Sequence, residues 1–189
     1  MRANQFTVSL KPEDISRVAK GLTYQTAIEL WKSGAYQIRV AVRDAATGSL
    51  GSANAFVIVP DFNRPRITLS SLMLSGTGGG SLVSDVATRE FHPGETVAYA
   101  CEVYGTKGSA ELSIRVFHDG AAAFEGAPMK VNLAAGEKTI PVVGKLEIPM
   151  SLAEGDYQVE LIARDPQAPA KQQSTSQWTD FTVVNAAAK

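Results

Sequence analysis

One cysteine and two histidines are the residues of this sequence with the most evident capacity for catalysis. A thiol beside an imidazole would form a nucleophile and its base. Cys101, however, lies in the segment ETVAYACEVY (95–104), whose alternation predicts a strand with the thiol on its inward face. Such a thiol lacks both access and a cation that would activate it. His92 and His118 each precede a predicted turn, where we interpret them as exposed residues rather than metal ligands.

Other sequence patterns for catalysis or cofactor binding are absent. There is no Cys-x-x-Cys, His-Glu-x-x-His or Gly-x-Ser-x-Gly pattern. The glycine-rich stretch 76–80 lacks the Lys-Ser/Thr and the helix of a phosphate loop, so we interpret it as a surface loop. Asp44 and Asp165 end predicted strands and are expected to cap turns, with calcium at a module junction as the alternative. We therefore predict no catalytic residue, no cofactor and no metal ligand.

Charge and hydropathy exclude two classes of partner. The 18 basic and 19 acidic residues are scattered and give a net charge of −1, so no basic surface is expected to bind nucleic acid. No apolar run is long enough to span a bilayer, and residues 1–4 lack a signal-peptide pattern. We predict a protein without membrane insertion.

A repeated segment is the main clue to architecture. Residues 34–44 read GAYQIRVAVRD, and residues 155–165 read GDYQVELIARD. Each copy is followed by a loop and a second strand, NAFVIV (54–59) or TDFTVV (179–184), and the spacing gives the second copy a loop four residues longer. The repeat predicts one hairpin used twice, as strands F and G of two immunoglobulin-like sandwiches.

The glycine and tyrosine that open each copy predict a tyrosine corner. In immunoglobulin-like domains a tyrosine near the start of strand F bonds through its hydroxyl to upstream backbone. Tyr36 and Tyr157 occupy that position and are interpreted as structural anchors. Two residues later, Ile38 and Val159 stand where such domains place a cysteine, so Cys101 is expected to be a buried free thiol.

Alternating segments predict an all-β protein built of tandem immunoglobulin-like antiparallel β-sandwich modules, the first one incomplete. Residues 12–20 are predicted to be a helical turn, and 75–95 a long loop. The modules are predicted at 1–59 (later strands only) and 66–185, with a linker at 60–65 and a tail at 186–189. Strands are predicted at 5–10, 22–30, 34–43 and 51–59, and then at 66–74, 95–104, 110–118, 122–133, 138–148, 155–164 and 176–184.

The incomplete first module leads to an expectation about partners. Half a sandwich leaves its inner face in water, at a cost of roughly 25 cal/mol for each Å² of exposed apolar surface. We therefore expect either a piece of a longer protein or a homodimer in which two copies complete each other.

Two tryptophans, Trp31 and Trp178, are candidates for an interaction surface. Trp178 alternates onto the strand face opposite Phe181, so it could cover the outside of the sheet or stack on a carbohydrate. Packing in the core or between domains is the favoured interpretation. A carbohydrate-binding sandwich module is the alternative function.

The chain resembles the C-terminal region of the von Willebrand factor A-related proteins of Acidobacteria. The resemblance rests on residues 21–61, on FHPGETVAYACEVY (91–104), on the repeat and on QWTDFTVV (177–184). It implies an exported, extracytoplasmic protein in which sandwich modules follow a von Willebrand A domain. The chain lacks the Asp-x-Ser-x-Ser motif of that domain. The expected function is thus a non-catalytic structural or protein-interaction region whose partner is the missing upstream domain or another envelope protein.

Overall fold

The computed structural model describes residues 11–12, 24–62, 64–76 and 87–184. Its regular elements are almost all strands, joined by turns and by short helical segments such as the 3-10 turn at Ala170–Gln172. The strands are β1 (Gly34–Arg43), β2 (Leu50–Val59), β3 (Thr68–Leu69), β4 (Met73–Gly76), β5 (Glu90–Phe91), β6 (Thr96–Tyr104), β7 (Ser109–His118), β8 (Ala121–Glu125), β9 (Met129–Asn132), β10 (Thr139–Glu147), β11 (Gly155–Arg164) and β12 (Ser174–Val183).

The strands β3 to β12 form two facing sheets. In the four-stranded sheet, β6 lies between β10 and an edge shared by β3 and β4. The six-stranded sheet has the order β5-β12-β11-β7, with β8 and β9 sharing the far edge of β7. The pairs are antiparallel except for β5 with β12. This is an immunoglobulin-like sandwich, with β11 and β12 as strands F and G, and the predicted fold class is confirmed.

One apolar core fills the space between these sheets. Alternate residues of β6, β7, β10 and β11 point inward, as the period of two in the sequence requires. Tyr99 lies opposite Gly144, and a Cβ there would come within 2.2 Å of the ring, so the tyrosine fills the space of the missing side chain. The core includes Leu69, Leu74, Phe91, Val97, Cys101, Val103, Leu112, Ile114, Val116, Ile140, Val142, Leu146, Val159, Leu161, Phe181 and Val183.

Two predicted strands are each split into two. The segment 66–74 becomes β3 and β4, because one extra residue before Met73 shifts the register against β6. Ser70 still bonds to β6 through its N–H and its hydroxyl. The segment 122–133 becomes β8 and β9, with Gly126 packed so closely on Ile114 that a Cβ would clash.

The predicted loop at 75–95 contains a strand that alternation did not reveal. β5 (Glu90–Phe91) runs parallel to the end of β12, through the pairs Thr182 with Glu90 and Val183 with Phe91. A strand of two residues is too short to show alternation in the sequence, so only its pairing with β12 identifies it. The glycine-rich part of this loop, from residue 77, lies outside the described residues.

The first predicted module is represented by one hairpin. β1 and β2 form a two-stranded antiparallel sheet, as predicted for 34–43 and 51–59. The predicted strand at 22–30 is wrong for residues 24–30, which have no regular structure. Alternating residues form a strand only where a neighbouring strand supplies the backbone hydrogen bonds. The predicted strand at 5–10 and most of the helical turn at 12–20 lie outside the described residues. The module bounds stay predictions.

Candidate interaction surfaces

The two repeated tyrosines make the same hydrogen bond. The Tyr157 hydroxyl donates to the carbonyl oxygen of Ala153 at 2.9 Å, and the Tyr36 hydroxyl donates to that of Lys32 at 2.7 Å. Each bond reaches four residues back and ties the start of the strand to the segment before it. The Tyr157 ring is buried and stacks on Phe181, with ring centroids 5.5 Å apart. Tyr36 is half-buried.

Burial differs sharply between the two copies of the hairpin. In β11 the inward residues Val159, Leu161 and Ala163 are fully buried beneath the four-stranded sheet. Their counterparts in β1 include Val40 and Val42, which are 52% and 63% exposed. We call the side of the hairpin that carries Tyr36, Ile38, Val40 and Val42 the Tyr36 face. It has the composition of a core surface without a covering sheet in the described part of the chain.

The hairpins also differ in register by one residue. Tyr157 lies opposite Phe181, whereas Tyr36 lies opposite Val57, so Phe56 points to the other side of the hairpin. Counted between the last paired residues of each hairpin, the second loop is three residues longer than the first. The predicted difference of four residues is therefore wrong. A shift of one residue moves a side chain to the opposite face of a sheet. Phe56 is 76% exposed, while Phe181 is 2% exposed.

This register gives the hairpin a second apolar surface, the Phe56 face, formed by Leu50, Phe56 and Ile58. All three side chains are largely exposed. Sequence reasoning missed this surface, although a signal existed. The run AFVIV (55–59) is continuously apolar, a pattern typical of strands that are covered on both faces.

The two tryptophans lie on the surface. Trp178 is half exposed on the outer side of β12, which excludes the core interpretation for this residue. Its ring centroid is 5.4 Å from that of Phe117 on β7, so the two rings meet above β11. Trp178 of β12 lies opposite Glu160 of β11, and Glu160 in turn lies opposite Arg115 of β7. Trp31 is 86% exposed in the segment before β1.

The aspartates that end the repeated strands cap turns. Asp44 accepts hydrogen bonds from the Thr47 hydroxyl and from the backbone N–H groups of Ala46 and Thr47, and these bonds lower its pKa. Asp165 is buried and accepts from the Gln167 N–H and the Thr106 hydroxyl, each at 2.9 Å. The capping role predicted for both is confirmed. No group of three or more potential metal ligands occurs among the described residues.

The histidines and the cysteine are not brought together. Cys101 is buried in β6, as predicted, and burial raises the pKa of its thiol to about 11. His118 precedes the tight turn of Asp119 and Gly120, both with positive φ, as predicted. Its ring is not fully exposed as expected, since it stacks on Tyr157 at a centroid distance of 4.5 Å. His92 is exposed, and its Nδ1 lies 2.7 Å from the carbonyl oxygen of Val184.

A shallow groove of about 490 Å³ lies along the outer edge of β10, lined by residues that include Glu102, Asn132, Glu137 and Thr139. Glu102 accepts a short hydrogen bond from the Tyr104 hydroxyl. Burial, with this bond, raises the pKa of Tyr104 to about 12. The carboxylate of Glu102 and the phenol of Tyr104 thus hydrogen-bond to each other.

No protein-family model matches this chain, and no curated protein matches it. Among solved structures, a CARDB domain from Pyrococcus furiosus, crystallised in complex with di-metal ions, is similar at 12% identity and a TM-score of 0.39. The match covers 66% of this chain and 99% of that domain. No described helix is long and apolar enough to cross a membrane.

Proposed function

We propose that this chain is a non-catalytic structural and protein-interaction region, in which the sandwich is a rigid support and the β1–β2 hairpin receives another polypeptide. The observation that carries the proposal is the contrast in burial between repeated strands. Leu161 and Ala163 of β11 are fully buried, whereas their counterparts Val40 and Val42 in β1 are more than half exposed. A surface with the sequence of a core strand is a surface that a partner covers.

The setting of this interaction is proposed from the resemblance in sequence. An exported bacterial protein would place the module outside the cytoplasm, next to a von Willebrand A-type domain. The partner is then that domain, another envelope protein or a second copy of this chain. A second copy would complete the hairpin by forming a homodimer.

A site-specific crosslink tests the interaction role. A photoreactive p-benzoylphenylalanine replaces Val40 of the Tyr36 face in one variant and Ser176, exposed on the outer side of β12, in a control variant. Irradiation of cells that make the protein should yield discrete protein adducts from position 40 and not from position 176. An adduct of twice the chain mass identifies a homodimer. Absence of adducts from position 40, or the same adducts from both positions, would contradict the proposal.

Carbohydrate binding is the second candidate, favoured by the exposed Trp178 ring. Aromatic rings provide an apolar platform, and Glu160 and Arg115 provide hydrogen-bonding groups beside it. Glycan arrays probed with the wild-type chain and with Trp178→Ala test this function. Val143→Ala, which removes an exposed apolar side chain from β10 on the other sheet, is the control. Equal signals from the wild-type chain and Trp178→Ala would eliminate carbohydrate binding at this surface.

A further inference from the structure

The outer edge of β1 has no paired strand among the described residues. β1 pairs with β2 alone, whereas its repeat β11 pairs with β12 on one side and with β7 on the other. An unpaired edge presents a row of backbone N–H and C=O groups that can accept a further strand. The position of β7 beside β11 therefore serves as a template for a strand beside β1.

Opposite charges occupy facing positions on the outer side of the template, where Arg115 also forms an ion pair with Glu125 of β8 at 3.2 Å. Glu160 of β11 lies directly opposite Arg115 of β7, and Arg164 lies opposite Glu111. Opposite charges at such positions stabilise a strand pair, and like charges destabilise it. At the alternate positions, aliphatic residues of β7 face Val159, Leu161 and Ala163 of β11.

The repeat changes one of these charges in β1. Arg43 corresponds to Arg164, but Arg39 stands where β11 has Glu160. Across β2 the two arginines face Leu50 and Asn54, so that neighbouring strand supplies no carboxylate. The guanidinium of Arg39 instead donates to the side-chain oxygen of Gln37. The edge of β1 thus displays two cations, four residues apart on one face.

We propose that β1 accepts, on this edge, an antiparallel strand of another polypeptide that carries carboxylates opposite Arg39 and Arg43. Aliphatic side chains at the alternate positions of that strand extend the Tyr36 face. This inference rests on the proposed interaction role and specifies the chemistry of the partner. A second copy of β1 is disfavoured, because it brings the same two arginines and no carboxylate within Gly34–Arg43.

A peptide with a sequence based on the template strand tests this chemistry with the full chain. The labelled peptide has the sequence of β7 (residues 109–118) with R115E, which places a carboxylate opposite Arg39 and keeps Glu111 opposite Arg43. The comparison peptides are the unaltered sequence and one with E111K. Fluorescence anisotropy should rank their affinities as R115E, unaltered, then E111K, with about two- to tenfold between successive peptides.

Charge reversal in the protein supplies the decisive control. In R39E the unaltered peptide should bind more tightly than R115E, and in Arg39→Gln the preference between these two should disappear. Binding at the edge of β11, by displacement of β7, would favour the unaltered peptide in every protein variant, since Arg115 there faces Glu160. Circular dichroism confirms that each variant retains its strands.

The outcomes separate this inference from the interaction role. The predicted rank order and its reversal in R39E support an acidic partner strand. Equal affinities, an order unaffected by R39E, or no binding by any peptide would overturn it. If crosslinks from position 40 persist in that case, the interaction role stands and only the proposed strand chemistry fails.

Discussion

At the scale of single residues, the hydroxyl of Tyr157 is expected to contribute to stability more than that of Tyr36. Tyr157→Phe removes the bond to Ala153 and keeps the ring against Phe181, so it should lower the free energy of unfolding by about 1 kcal/mol. Tyr36→Phe should change it by less than about 0.5 kcal/mol, because the hairpin is largely exposed. Urea unfolding measures both. An equal or larger loss for Tyr36→Phe would contradict this account.

The thiol of Cys101 predicts a pH dependence of stability. Burial raises its pKa in the folded chain from 9.0 to about 11. The pKa of this thiol is higher in the folded chain than in the unfolded chain. The contribution of the protonated thiol to stability is therefore complete below about pH 9 and is lost as the pH rises toward about 11. Relative to Cys101→Ala, the wild type should therefore lose free energy of unfolding as the pH rises from about 8 to about 10.5. Urea unfolding at both pH values checks this, and an unchanged difference would refute it.

At the scale of elements, two phenylalanines in corresponding strands should contribute very differently to the free energy of unfolding. Phe181→Ala removes a buried ring and should cost about 3–5 kcal/mol of unfolding free energy. Phe56→Ala removes a ring that is largely exposed, so the isolated chain should lose less than about 0.5 kcal/mol. Denaturant unfolding of both variants is the measurement. A large loss for Phe56→Ala would show that its ring belongs to a core.

The register of each hairpin explains this difference between similar strands. The loop of the first hairpin is held by Asp44, whose N–H bonds to Ser49 and whose carbonyl accepts from Gly48. In the second hairpin the N–H of Asp165 bonds to Gln173 across a longer loop. The length of each loop sets which residue of the return strand meets the tyrosine. Loop length therefore decides whether the phenylalanine points inward or outward.

At the scale of the whole molecule, the hairpin should open more readily than the sandwich. β11 has paired strands on both sides and lies under a second sheet, whereas β1 has one paired strand in the described chain. Hydrogen exchange monitored by mass spectrometry should show fast exchange in β1 and β2 and slow exchange in β6, β7 and β11. Equal protection of β1 and β11 in the isolated chain would mean that the hairpin is already covered.

The sequence by itself determined the all-β class, the duplicated hairpin, most strands of the sandwich, the buried thiol and the turn-capping aspartates. These features depend on alternation, on turn residues and on side chains bonding to nearby backbone, all of which are local. Only the tertiary structure decided the register of β2, the breaks in the first and fourth strands of the sandwich, and the short parallel β5. It also placed Trp178 outside and left the Tyr36 face without a covering sheet among the described residues. Register and burial depend on which distant strand lies alongside, and no local pattern of residues encodes that neighbour.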